Sequence, residues 1–301
     1  MKLNLNIPIP ARKGVSATTI YLKLVAKDAE SLTSKPYVFI LPGGPGANHS
    51  HYVSYETLKD VGNLLFYDPR GCGLSEKGDV QSYTMQNYIA DLQYVQEYLQ
   101  LKSVIVIGKS YGAICALGYV LKYPQLVSRL VLAAGSPSHK NIETAKQHLL
   151  SRGTKEQQEI AEKVWNGTFA NEDELEEYFT IMRNLYSYKE RHGIPTEHVA
   201  GEYPHCYEAL NLGFRTFLQD FDFERDLSKI LCPTLILVGE EDWITDKKYS
   251  QLMAAKIPHS QLKIIPHADH KIEVDAPELF FGSIREFIYE GTQAPEVRPA
   301  T

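Results

Sequence analysis

Ser110, Asp242 and His270 are the residues of this sequence whose types and surroundings suit covalent chemistry on a carbonyl. Ser110 sits in Gly108-Lys109-Ser110-Tyr111-Gly112. A serine hydroxyl is a weak nucleophile at neutral pH, so an imidazole must take its proton during attack. That imidazole needs its other nitrogen fixed by a carboxylate, which also stabilises the imidazolium that forms. Both groups follow Ser110 in the chain. Asp242 comes three residues after Gly239, at the end of the apolar run Thr234-Leu235-Ile236-Leu237-Val238-Gly239. His270 closes Pro266-His267-Ala268-Asp269-His270, after Gln261-Leu262-Lys263-Ile264-Ile265. Each has rivals close by. Glu240, Glu241 and Asp246 compete with Asp242, and His267 competes with His270. The other eight histidines fall in loops or in the polar middle of the chain and read as surface or packing residues.

A tetrahedral adduct on Ser110 would also need N–H donors aimed at its oxyanion. Pro42-Gly43-Gly44-Pro45-Gly46 is a loop whose amides are unobstructed by side chains. The backbone N–H groups of Gly44 and Tyr111 are the expected pair. Loss of one such donor typically raises a barrier by about 2.7–4 kcal/mol, so this loop matters as much as the side chains.

The elements that must position these groups can be read from pattern. Val104-Ile105-Val106-Ile107 is a buried strand, and Ile114 to Val120 suits a buried helix. A serine on the sharp turn between them is held in a strained conformation, and Gly108 and Gly112 remove side chains that would collide with the turn. Further continuous apolar runs are Tyr37–Leu41, Val61–Tyr67 and Arg129–Gly135, besides the two that precede Asp242 and His270. Such runs mark strands covered on both faces. Between Met85 and Leu99 the apolar residues recur at helical spacing. The first 25 residues instead alternate in period two around Lys13-Gly14, as an antiparallel pair does. The pattern therefore predicts an α/β fold: a mostly parallel sheet with helices on both faces. Asp68 and Arg70 read as braces for neighbouring loops through charge-assisted hydrogen bonds.

This rhythm stops at Ser136-Pro137. From there to Asp226 only amphipathic helical pattern remains, with Asn171 placed to cap an acidic helix start. Residues 136–226 are therefore expected to be a helical cap inserted into a core formed by 1–135 and 227–290. Residues 291–301, with three prolines and no apolar pattern, are expected to be a loose tail.

Composition excludes several classes. The chain is 44% hydrophobic and 23% charged, as ordinary globular proteins are. A net charge of -6 argues against nucleic acid or an anionic membrane as the main partner. No apolar run approaches the ~20 residues of a membrane span. Cys72, Cys115, Cys206 and Cys232 are scattered without C-x-x-C spacing. Neither a zinc site nor structural disulfides are expected, and a cytoplasmic setting is. No cofactor is expected either.

Taken in order, five segments resemble the proline iminopeptidase branch of the α/β hydrolases. They are Pro42–Gly46, Tyr67–Ser75, Gly108–Gly112, Gly239–Asp242 and Ile265–His270, and the resemblance covers roughly residues 36–135 and 227–290. It implies the α/β-hydrolase fold, with Ser110 as nucleophile, Asp242 as orienting acid and His270 as base. Gly44 and Tyr111 would supply the oxyanion N–H groups. The expected reaction is release of an N-terminal residue from small peptides or amides through an acyl-enzyme.

Two departures stand out. The family usually begins its loop with histidine, where this chain has Pro42, which has no N–H. Its aminopeptidases also carry a cap glutamate for the substrate's free amine in an Asn-Glu-Phe-like run. Here that region reads Asn211-Leu212-Gly213-Phe214, and Glu202 and Glu208 are the nearest substitutes. A carboxylesterase or lactonase acting on small esters is the alternative reading, and a non-catalytic ligand receptor a remoter one.

Overall fold

The computed structural model describes residues 1–196 and 201–290; the expected tail at 291–301 lies outside the described residues. In chain order the elements begin with β1 (Lys2–Ile9), β2 (Thr18–Val25), the short α1 (Ser31–Ser34), β3 (Tyr37–Leu41) and β4 (Asn63–Tyr67). Then come α2 (Met85–Tyr98), β5 (Val104–Lys109), α3 (Tyr111–Lys122) and β6 (Val127–Ala133). Helices α4 (Lys140–Arg152), α5 (Lys155–Asn166), α6 (Glu172–Tyr186), α7 (Tyr188–Arg191) and α8 (Tyr207–Arg215) follow, with no strand between them among the described residues. The chain closes with β7 (Thr234–Gly239), α9 (Lys247–Lys256), β8 (Ser260–Ile265), α10 (Ile272–Asp275) and α11 (Pro277–Tyr289).

The eight strands form one sheet in the order β1-β2-β4-β3-β5-β6-β7-β8. β1 and β2 pair antiparallel, as do β2 and β4, and every other pairing is parallel. Strand β5 shows why the sheet is buried on both faces. Val104 and Val106 pack with Leu92, Leu117 and Met253 from α2, α3 and α9. Ile105 and Ile107 pack on the other face with Phe280, Ile284 and Phe287 of α11. Each side chain so buried contributes about 1.5–3 kcal/mol relative to exposure.

The last helical region is broken at Ala276, which leaves helical geometry, and Pro277 starts α11 at a position where a missing N–H costs nothing. Helices α4 to α8 carry an apolar cluster of their own, built on Leu149, Trp165, Leu175 and Met182, and Trp243 from the loop after β7 joins it. Asn171 caps α6 as expected, its side-chain oxygen accepting from Glu174 N at 2.9 Å. Among the described residues no helix is long and apolar enough to cross a membrane.

Candidate active site

Ser110 stands between the end of β5 and the start of α3, at φ 55° and ψ -121°. A non-glycine residue in such a conformation is strained by about 1–3 kcal/mol and persists only where its surroundings enforce it. They do so closely. A Cβ on Gly112 would lie 2.1 Å from the Leu41 carbonyl oxygen, and one on Gly108 would lie 2.3 Å from that of Gly112. The Ser110 amide donates to Ala133 O at 2.9 Å, and its carbonyl accepts from Ala113 N at 2.9 Å. The turn is thus pinned to β6 on one side and to α3 on the other.

His270 Nε2 lies 3.0 Å from Ser110 Oγ, and His270 Nδ1 lies 2.9 Å from Asp242 Oδ2. The three residues sit beyond the C-terminal ends of β5, β7 and β8, where open parallel sheets place their sites. Asp242 has no exposed side-chain surface, yet it is well satisfied. Ile244 N and Thr245 N each donate to Oδ1 at 2.9 Å, and the Thr245 hydroxyl donates to Oδ2 at 2.8 Å. Burial pushes its carboxyl up, but His270 and the donors from Thr245 outweigh burial and bring it down to about 2. For His270, burial pushes the imidazolium down, Asp242 pulls it up and Lys109 pushes it down again. The net direction is downward. A neutral imidazole beside an ionised carboxylate must carry its proton on Nδ1, which leaves the Nε2 lone pair facing the Ser110 hydroxyl.

The rivals fall away on geometry. His267 packs near the Tyr188 ring at 5.2 Å, Glu241 pairs with Arg191 at 2.6 Å and Asp246 pairs with His148 at 2.7 Å. Glu240 is exposed. Asp68 accepts from His49 N and Leu74 N, and Arg70 holds Asp91 and the Ser16 carbonyl. Asp68 braces loops, as its sequence context suggested, whereas Arg70 ties its loop chiefly to Asp91 of α2.

The Pro42–Gly46 loop approaches Ser110 closely, and Gly44 and Gly46 take φ of 108° and 107°. A Cβ on Gly46 would lie 2.5 Å from Cys206 O, so only glycine fits there. Gly43 N donates to the Tyr52 hydroxyl at 2.7 Å and is therefore occupied. Among the described residues the N–H groups of Gly44 and Tyr111 have no hydrogen-bond partner. The Tyr111 ring turns into the core against Tyr88 and Phe217, so only its backbone faces the turn.

A cavity of about 1140 Å³ opens over Ser110 and His270, between the sheet and helices α5 to α8. Its walls mix aromatic side chains such as Tyr52, Trp165, Phe179 and Tyr186 with charged ones. Glu202 lines it and Glu208 does not; the Glu208 carboxylate accepts from Cys206 Sγ at 3.3 Å instead. The sequence reading missed three groups in this wall. The His51 and His205 rings lie 3.9 Å apart, and His205 Nδ1 is 2.9 Å from Glu176 Oε1. The His205 hydrogen bond takes Glu176 down to about 2, and burial beside His205 takes His51 down to about 3. Nothing in the local pattern signals this cluster, because its members come from three segments joined only by packing.

A model described as the alpha/beta hydrolase fold matches residues 36–277. The chain is 28% identical over 261 residues to a proline iminopeptidase from Pestalotiopsis fici, spanning 84% of this chain and 92% of that one. It is 28% identical over 291 residues to a proline iminopeptidase from Saccharolobus solfataricus, spanning 92% and 91%. Among solved structures, a proline iminopeptidase from Mycobacterium smegmatis matches with a TM-score of 0.71 at 18% identity, covering 96% of this chain and 98% of that one. An esterase from Exiguobacterium antarcticum matches with a TM-score of 0.66 at 19% identity, covering 95% and 100%. At these identities the two structures share the fold alone.

Proposed function

The chain belongs to the α/β-hydrolase family and is a hydrolytic enzyme; we propose that it is a serine hydrolase releasing an N-terminal residue from short peptides or small amides. Ser110 Oγ attacks the carbonyl carbon as His270 Nε2 takes its proton, and Asp242 steadies the resulting imidazolium. The N–H groups of Gly44 and Tyr111 hold the oxyanion. Collapse expels the amine, which takes the proton back from His270 and leaves an acyl-Ser110. Water, deprotonated by His270, then attacks the acyl group and frees the serine. No metal or cofactor takes part. The described residues of 136–226 act as a cap, and its helices α5 to α8 form the far wall of the cavity.

The observation that carries this reading is the continuous chain from Asp242 to His270 to Ser110, at 2.9 and 3.0 Å, on the floor of the cavity. For a peptide substrate the free amine needs a carboxylate, since a buried unpaired ammonium is costly. Glu202 is the cap residue we nominate. Glu208 is unsuited by its direction.

A second reading, a carboxylesterase or lactonase, is favoured by one feature. The cavity-lining residue Phe214 and its neighbours Asn211, Leu212 and Gly213 in α8 bring no carboxylate to that wall. Turnover of proline β-naphthylamide against short p-nitrophenyl esters, with Ser110→Ala as control, separates the two. Amide cleavage that requires a free amine supports the peptidase, and ester-only turnover supports the second reading. If turnover equals that of Ser110→Ala and no fluorophosphonate labels Ser110, both readings fail.

A further inference from the structure

Lys109 is the residue just before the nucleophile, and it is almost wholly buried, with 5% of its side chain exposed. A lysine is rarely so buried without partners. Its Nζ donates to the carbonyl oxygen of His270 at 2.8 Å and lies 3.9 Å from Glu273 Oε2. That glutamate oxygen is itself buried and makes no hydrogen bond within the protein. The pair therefore joins the turn that carries Ser110 to the loop and short helix that carry His270. These are the two segments whose spacing sets the 3.0 Å contact between Oγ and Nε2.

We propose that Lys109 and Glu273 form an ion pair beneath His270 that positions the imidazole and biases its protonation in opposite senses. The inference rests on His270 being the base, as proposed above. Lys109 is then a positioning residue: it holds the His270 backbone and never touches the reacting atoms.

The signs follow from charge alone. An ammonium near the ring disfavours a second positive charge, so Lys109 keeps His270 neutral to lower pH. Glu273 favours the imidazolium and offsets part of that effect. The other groups facing His270 come from every neighbouring element. Asp242 binds Nδ1 from the loop after β7, and Asp269 accepts the His270 amide at 2.8 Å from its own loop. Tyr186 of α6 presents its ring at 5.8 Å, and the Lys271 ammonium lies over that same ring at 5.9 Å.

The test titrates His270 directly by NMR, with its imidazole signal assigned by its loss in His270→Asn. The wild type, Lys109→Met, Lys109→Arg and Glu273→Gln are compared. Lys109→Met is expected to raise the His270 midpoint by on the order of one pH unit, and Glu273→Gln to lower it by a smaller amount. Lys109→Arg keeps the charge and stays near the wild type. In proteins that turn substrate over, the acid limb of kcat/KM moves the same way. Midpoints that stay put in both neutralising variants, or that move in the same direction, overturn the proposal. If Lys109→Met does not fold, Glu273→Gln decides alone, since its direction is fixed in advance. Should the wild type hydrolyse nothing, the hydrolase reading fails while the NMR midpoints still judge the ion pair.

Discussion

Thr245 donates twice to Asp242, through its amide to Oδ1 at 2.9 Å and through its hydroxyl to Oδ2 at 2.8 Å. A hydrogen bond to a buried charge is worth about 1.5–3 kcal/mol, and its loss leaves a carboxylate lone pair unpaired. Thr245→Val keeps the volume and the amide donor while removing the hydroxyl. Unfolding free energy at neutral pH is expected to fall by about that amount. Denaturant unfolding measures it, and a change below about 0.5 kcal/mol would mean the hydroxyl bond adds nothing.

The same carboxylate carries an acid dependence, set first by His270 and then by the donors from Thr245. Asp242 is held down to about 2, whereas an unfolded aspartate titrates near about 3.9. A depressed carboxylate contributes stability that is fully present above the unfolded value and is lost as pH falls through the folded one. The wild type is expected to lose this contribution between about pH 4 and pH 2. Thr245→Val brings the Asp242 carboxyl upward, so the gap between variant and wild type should close toward pH 2. Paired thermal melts across that range check it, and a gap of constant size would contradict the assignment.

His270 titrates below the ordinary imidazole value because burial disfavours its charged form, and Lys109 adds to this. As the proposed base it must be neutral, so kcat/KM should fall only as pH drops below about 6.5. Asp242→Asn is expected to lower kcat by about 10³–10⁴-fold with the fold intact, because the amide no longer enforces the Nδ1–H tautomer. Stopped assays with circular dichroism of the variant measure both. A mid-limb well above neutrality, or an Asp242→Asn enzyme near wild-type rate, would remove His270 from the role of base.

These consequences separate what pattern reveals from what only packing does. Ser110 was legible because its φ of 55° demands particular neighbours: glycines at 108 and 112, a buried strand before and an apolar helix after. Asp242 and His270 were legible because parallel strands deliver their sites at one edge, so the residues just past Gly239 and Ile265 were the ones to inspect. Glu208 was misplaced as a cavity group because facing is set by how α8 packs, which a single short helix does not encode. The cluster of Glu176, His51 and His205 left no trace at all, since its residues are brought together by the seating of α6 against the loop after β3. Lys109 was in full view, yet its partners 161 and 164 residues onward were not.

Gly112 gives a prediction for the fold of the turn itself. An alanine methyl there would meet the Leu41 carbonyl oxygen at 2.1 Å and the Pro42 carbonyl oxygen at 2.7 Å. Both contacts are backbone, so relief requires α3 and the Pro42–Gly46 loop to move apart. Gly112→Ala is expected to cost about 1–3 kcal/mol or more of stability, as overpacking does. Since that loop also carries Gly44, labelling of Ser110 by a fluorophosphonate should slow beyond what the stability loss explains. Labelling rate measured well below the melting range tests this, and a wild-type rate would show that the loop tolerates the shift.

Arg191 in α7 donates to Asp269 Oδ2 and to Glu241 Oε2, each at 2.6 Å, and so ties the helical segment to both loops that carry Asp242 and His270. Asp269 has no exposed side-chain surface, and burial together with the Asp242 charge raises it to about 7 despite the guanidinium. A carboxyl raised above its unfolded value binds more protons folded than unfolded, so its contribution falls as pH rises from about 4 toward 7. Above that point the wild-type slope from this group ends. Arg191→Ala removes the main opposing charge and raises the Asp269 value further, so in the variant the decline continues to higher pH. The destabilisation by Arg191→Ala should therefore be small near pH 6, where Asp269 can take up a proton. It should grow toward pH 8.5, where Arg152 at 4.0 Å is the cation that remains beside the buried carboxylate, with about 3–5 kcal/mol as the upper limit for a pair broken outright. Denaturant unfolding of both proteins at the two pH values measures the difference. A penalty equal at both, or larger at pH 6, would show that Asp269 takes up no proton over this range when Arg191 is removed.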